Sequence, residues 1–176
     1  SYAQSSSPNS DLESGDFTGW TARTGTRNNR TGAITWSGNT ITSTRQTIIN
    51  TNTLDPYTCN MLETRPAGTG NFVARLGNAV NGGQVEALSY RMAVNASNAL
   101  FIYKYAVVFE EPDHALFEQP FFELSIKSTS GAILDSICGH INTVAGLDMS
   151  SFDSCTYVFS RINDMMNTMA NYGEVR

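Results

Sequence analysis

Two apolar runs rich in aromatic and β-branched residues stand out along the chain. They are residues 100–109 (LFIYKYAVVF) and 120–127 (PFFELSIK), separated by the charged insert EEPDHALFEQ. Such side chains suit a pleated, buried surface and the runs have strand length, so both are predicted to be strands. The first has few polar residues and reads as a central strand covered on both faces. In the second, Phe122, Leu124 and Ile126 alternate with Glu123, Ser125 and Lys127, which predicts one wet face. The insert carries Glu110, Glu111, Asp113, His114 and Glu118. Loops held by rigid strands are where binding groups sit, so Glu111, Asp113 and His114 are first candidates for ligand contacts. His114 suits either a ligand-binding imidazole or a brace within the loop.

The rest of the chain continues the same alternation. Residues 1–10 are Ser-rich with no apolar anchor and read as a flexible arm, leaving 11–176 as a single domain. Leu12, Phe17 and Trp20 are apolar points in DLESGDFTGW, and residues 23–32 read as an exposed polar loop. Short strands are expected at 33–36 and 40–50 around the turn Ser37-Gly38-Asn39. Residues 50–69 contain Asp55-Pro56 and Pro66 and should form a long loop, a kind that is usually functional or tied down. Further strands are expected at 71–76, 85–94 and 132–137. Between 160 and 172, Ile162, Met165, Met166 and Met169 recur at helical spacing, which predicts one short amphipathic helix with a methionine packing stripe. Many short strands with turns between them give an all-β fold, a sandwich or barrel.

Composition narrows the function classes. The 176 residues fit one domain, and the net charge is −5 from 11 basic and 16 acidic residues. Only Lys104 and Lys127 are lysines and no basic patch exists, which argues against nucleic acid as a partner. Charged residues are only 15% and the polarity comes from Ser, Thr, Asn and Gly, as in secreted β proteins. No apolar run reaches the roughly 18 residues a membrane helix needs, and SYAQSSSPNS reads as a mature start after signal cleavage. Of the three cysteines, Cys138 and Cys155 enclose a short loop. In a secreted protein they are the natural pair, contributing about 3 kcal/mol. Cys59 is then left buried or bonded outside the chain, and three buried thiols are the plainer alternative.

Catalysis finds little support. No GxSxG, HExxH or phosphate loop occurs. Glu110 and Glu123 flank one loop and could face each other at the 5–9 Å or so that glycoside hydrolysis needs, but nothing marks a nucleophile or an acid. The chain therefore reads as a non-enzyme. Sugar binding uses exposed aromatic rings near amides and acids. Trp36 and Tyr57 border polar loops and are the better candidates, whereas Trp20 reads as core.

Several stretches together resemble a known family. DLESGDFTGW resembles the opening of jelly-roll carbohydrate-binding modules. GNFVARLGNAVNGGQVEALSY, LFIYKYAVVFEEPDH and EQPFFELSI followed by Ile137-Cys138-Gly139 resemble a domain of large secreted surface proteins of Bacteroidetes that use type IX secretion and gliding-type sorting domains. The likeness runs from about Asp11 to about Tyr157. It implies a jelly-roll β-sandwich, an extracellular cell-surface location, and adhesion or glycan binding, with a glycan or a surface protein as partner. It points to Glu13, with Asp11 and Asp16 beside it, as carboxylates for a structural Ca²⁺. Asp135-Ser136-Ile137 fits the short O-glycosylation pattern of that phylum at Ser136. Two departures matter. Arg45 or Gln46 stands where the family has a histidine, and the family's closing strands are missing before Arg176. The sandwich is therefore expected to lack its last strands and to take them from a neighbouring chain or from the downstream part of the same protein. That makes a structural subunit of a surface filament or multi-chain assembly the alternative function, with a glycoside hydrolase third.

Overall fold

In the computed structural model, the described residues are 7–96, 98–110, 114–137 and 139–147, with backbone alone for 153–155, 158–168 and 174–175. The chain is all-β, with 41% strand in several antiparallel sheets and, among the described residues, no helix of seven or more residues. Among the described residues, no helix is long and apolar enough to cross a membrane. The fold divides into two compact units, Asn9–Tyr90 with Asp113–Gln119, and Ser1–Pro8 with Arg91–Pro112 and Pro120–Arg176.

The first unit holds β1 (Trp20–Arg27), β2 (Ile34–Gly38), β3 (Gln46–Ile49), β4 (Val73–Leu76) and β5 (Gln84–Tyr90). β1 is the centre of a sheet ordered β2-β1-β5, and β3 pairs with β4. The polar run expected to be an exposed loop therefore supplies most of a central strand. Its threonines are β-branched and suit a strand without adding apolar bulk. Gly25 answers a local demand: a Cβ there would stand 2.5 Å from the Thr35 carbonyl oxygen, where the register shifts between Thr24 and Gly25. β2 and β3 were expected to flank one turn, but they join different sheets.

The second unit holds β6 (Met92–Ala93), β7 (Leu100–Glu110), β8 (Phe121–Ser125), β9 (His140–Val144), β10 (Asp153–Cys155), β11 (Val158–Thr168) and β12 (Glu174–Val175). The helix predicted at 160–172 is not formed over 160–168, and 169–172 lie outside the described residues. Residues 158–168 are β11, paired antiparallel with β7 along its whole length, Val158 opposite Glu110 and Thr168 opposite Leu100. Spacing that fits one helix face lost to an eleven-residue strand whose backbone groups need partners. β7 is also not covered on both faces. Val107 and Phe109 are buried with Ala145, and Tyr105 and Phe122 pack on them. On the opposite side Leu100 is 55% exposed and Ile102 57%. The inward face continues as an aromatic ladder, Phe101 to Tyr103 to Tyr105 to Phe122, with centroid spacings of 5.7, 6.3 and 5.0 Å. β8 has its expected wet face at Glu123. Only an isolated bridge at Ile133 represents the strand expected at 132–137.

The two faces of β7 should respond differently to truncation. Phe109→Ala is expected to cost about 3–5 kcal/mol through the cavity it leaves. Ile102→Ser is expected to stay within about 0.5 kcal/mol, as at ordinary surface positions. Urea midpoints of the two variants measure this, and equal losses would show that β7 has no wet face.

Candidate functional site

The long loop at 51–65 is built as a braced projection. Its two limbs meet at a bridge between Leu54 and Glu63. The Thr64 N–H donates to the Thr53 carbonyl (2.8 Å), and the Asp55 N–H to the Leu62 carbonyl (2.8 Å). The tip is a single 3-10 turn, Pro56–Thr58, whose N-cap Asp55 accepts from the Tyr57 N–H at 2.8 Å. Proline at the first position and a carboxylate N-cap are what such a turn requires. Thr58 is 1% exposed, its hydroxyl donating to the Asp55 carbonyl (2.9 Å) and accepting from the Leu62 N–H (3.1 Å). Outside this frame stand Tyr57 at 59%, Leu54 at 50% and Met61 at 49% exposure. Polar groups border them, with Asn52 Nδ2 donating to Glu63 Oε2 at 3.2 Å.

Cys59 closes the tip in a left-handed conformation (φ 54°) and is disulfide-bonded. The expectation that it is buried fails, since it is exposed. The expected Cys138–Cys155 disulfide falls on residues beyond those described, since Cys138 and the side chain of Cys155 lie outside them.

The three acidic residues of the N-terminal loop serve the chain itself. Asn9, buried in a left-handed conformation, is the hub. Its Nδ2 donates to the Asp16 and Thr18 carbonyls (3.0 and 2.9 Å), and its own carbonyl accepts from Trp20 Nε1 (2.9 Å). Asp16 Oδ1 accepts from the Thr18 N–H (2.9 Å) and Asp11 Oδ1 from the Glu13 N–H (3.2 Å). Glu13 reaches across to the residues just ahead of β4, accepting from the Asn71 N–H and Nδ2 (both 2.8 Å) and the Phe72 N–H (3.3 Å). Among the described residues, no group of three or more His, Cys, Asp or Glu is placed to hold a metal. Each carboxylate accepts from backbone N–H groups.

Trp36 is half-buried, whereas His114 is exposed. The Arg23 guanidinium lies over the Trp36 indole, 4.2 Å from the ring centroid. His114 is exposed, but its carbonyl accepts from Gln119 Nε2 (3.0 Å), so its backbone braces the loop. Arg27 Nη1 donates to the Gln119 carbonyl (3.1 Å) and Asn29 Nδ2 to Glu118 Oε1 (3.1 Å), which ties the segment 114–119 into the first unit. Glu111 and Asp113 lie outside the described residues. Ser136 is exposed in a bend closed by Asp135 Oδ1 accepting from the Ile137 N–H (2.8 Å), not within a strand as expected.

The residues that sequence reasoning missed are Arg45 and Gln46. Arg45 pairs with Glu86 and donates to the Gly25 and Val85 carbonyls at 3.0 and 2.9 Å. Gln46 is 1% exposed and donates to the Arg23 carbonyl at 3.0 Å. No known protein family, curated protein or solved structure matches the chain.

The Glu13 latch gives a pH dependence. The Asn71 side-chain amide, then the Asn71 N–H, hold its carboxyl below the ordinary carboxylate range, with smaller help from the Phe72 N–H and the Arg65 charge. A depressed carboxyl stabilises the fold above its unfolded pKa of about 4.3, and that stability is lost as pH falls through the folded pKa. The parent should therefore melt higher than Glu13→Gln at neutral pH, and the two should converge below about pH 4. A gap in melting temperature that stays constant on acidification would contradict the latch.

Proposed function

We propose that this chain is a non-catalytic adhesion or glycan-binding module of jelly-roll type, displayed outside a bacterial cell, with the loop at 51–65 as its recognition element. The observation that carries the reading is Tyr57, 59% exposed at the tip of a loop whose own hydrogen bonds fix it. A pre-ordered aromatic ring loses little conformational entropy on binding, and its face suits the C–H surface of a pyranose. The Asn52 amide and the Glu63 carboxylate offer hydrogen bonds to sugar hydroxyls beside it. The disulfide at Cys59 suits an oxidising, extracellular compartment.

A second reading, a subunit of a surface assembly completed by strands of another chain, is favoured by the outward side of β7. Leu100, Ile102 and Val108 are 55, 57 and 38% exposed there, which is apolar area that a neighbouring strand or subunit would cover.

A glycan array with the intact chain and with Tyr57→Ala tests the first reading. The parent is expected to retain a defined set of glycans, and the variant to bind them at least tenfold more weakly with an unchanged melt, equivalent to about 1.4 kcal/mol of binding. Equal binding by both, or no glycan retained by the parent, would remove this function. Light scattering then addresses the second reading, which expects a concentration-dependent oligomer.

A further inference from the structure

We propose that Arg23 and Trp36 form a recognition site for the oxyanion of an acidic sugar, a carboxylate or a sulfate; this rests on the glycan-binding reading above. The pairing of β1 with β2 sets Gly25 opposite Trp36, which makes Arg23, two residues earlier, the diagonal neighbour of the indole. Gly25 leaves the indole room against bare backbone, since a Cβ there would stand 3.1 Å from Trp36 Cε3. The guanidinium then stacks at 4.2 Å from the indole centroid. Stacking fixes the plane of the fork, so little side-chain freedom is left to lose when an anion binds.

Arg65 Nε is likewise buried without a partner, but Arg23 differs from Arg27, Arg45 and Arg65 in that none of its side-chain nitrogens has an acceptor among the described residues. Arg45 is paired with Glu86, Arg27 donates to the Gln119 carbonyl and Arg65 to the Gly70 carbonyl. Arg23 Nε is buried with no hydrogen-bond partner, and among the described residues no carboxylate pairs with this guanidinium. A desolvated donor without an acceptor marks a place where an acceptor is missing. A planar fork with its own charge unmatched selects a carboxylate or sulfate, which it can bind through two parallel N–H···O bonds from its two terminal nitrogens, the buried Nε taking no part.

The surroundings favour a sugar over a bare anion. Thr21 and Ser89 are both exposed and stand opposite each other in the β1–β5 register, with Arg23 opposite Ala87 two positions on. Alternation along a strand places Thr21 and Arg23 on the same face of the sheet. Two hydroxyls, one cation and one indole thus lie along one strip, offering hydrogen bonds to ring hydroxyls, charge to the acid group and an apolar edge to the ring C–H atoms.

Titration of the intact chain with sodium glucuronate, followed by tryptophan emission, tests this. Trp20 and Trp36 are the two tryptophans of the chain, and Trp36→Phe identifies the reporter. Glucuronate is expected to give a saturable change that Trp36→Phe abolishes, while glucose and acetate at equal concentration give none. Glucose 6-sulfate separates sulfate from carboxylate preference, and a response to either supports the site. Arg23→Gln should weaken glucuronate at least tenfold with an unchanged melt. Arg23→Lys, which keeps the charge without the fork, should also weaken it and serves if the glutamine variant fails to fold. Glucose or acetate matching glucuronate, no saturable response to either acidic sugar, or Arg23 variants binding like the parent would overturn the proposal. Neutral glycans held through Tyr57 alongside a failed glucuronate titration would end this inference alone, whereas an empty array would end the broader reading.

Discussion

The first unit depends on a polar clamp that takes the place of a large apolar core. β1 contributes almost no apolar side chain beyond Ala22 and the edge of Trp20, and β3 with β4 is a two-stranded ribbon that would be marginal alone. Arg45 and Gln46 join the two sheets. The Arg45 guanidinium meets Glu86 on β5 and the carbonyls of Gly25 and Val85, while Gln46 holds the Arg23 carbonyl and accepts from the Thr42 N–H at 2.9 Å. With side-chain exposures of 15% for Arg45 and 10% for Glu86, removal of one partner would strand a largely desolvated charge at about 3–5 kcal/mol. Arg45 Nε and Nη2 and Gln46 Nε2 each have a named acceptor, and satisfied donors are what lets a buried polar network specify one arrangement. The same clamp fixes β1, and β1 carries the Arg23 that stacks on Trp36 of β2.

The second unit is held by different physics. Its inward face is aromatic and aliphatic, with Ile126 buried among Met92, Phe101, Tyr103 and Leu134, and Val107 and Phe109 buried with Ala145. Burial of such side chains is non-directional and tolerant of exact geometry, which suits long strands paired in simple register. The loop at 51–65 follows neither pattern. It depends on local hydrogen bonds, on Thr58 at its centre and on the disulfide at Cys59, and so can project apolar side chains without a core beneath them.

Much of the all-β architecture was legible because period-two alternation survives in β8 and in the inward positions of β7. The wet face of β7 was not, because Leu100, Ile102 and Val108 are apolar although exposed. β1 was hidden for the opposite reason: its strand signal is threonine, and its partners are polar groups far away in sequence. β11 carried a methionine spacing that fits a helix as well as a strand, and only pairing with β7 decides between them. At the candidate sites the residue types were readable and their partners were not. Tyr57 could be taken as exposed from its polar loop. That Glu13 finds Asn71, 58 residues away, could not be read from DLESGDF. Neither could the stack of Arg23 on Trp36, which requires the register of two strands.

The central claim is that a protruding loop is as ordered as a strand and so presents Tyr57 as a fixed surface. Native-state hydrogen exchange of the Asp55, Leu62 and Thr64 amides tests this most directly, since each donates within the loop. The account predicts protection of these amides comparable to that of β1 and β5, with loss of it on reduction of the disulfide. Exchange at the rate of an unstructured peptide in the oxidised protein would contradict it.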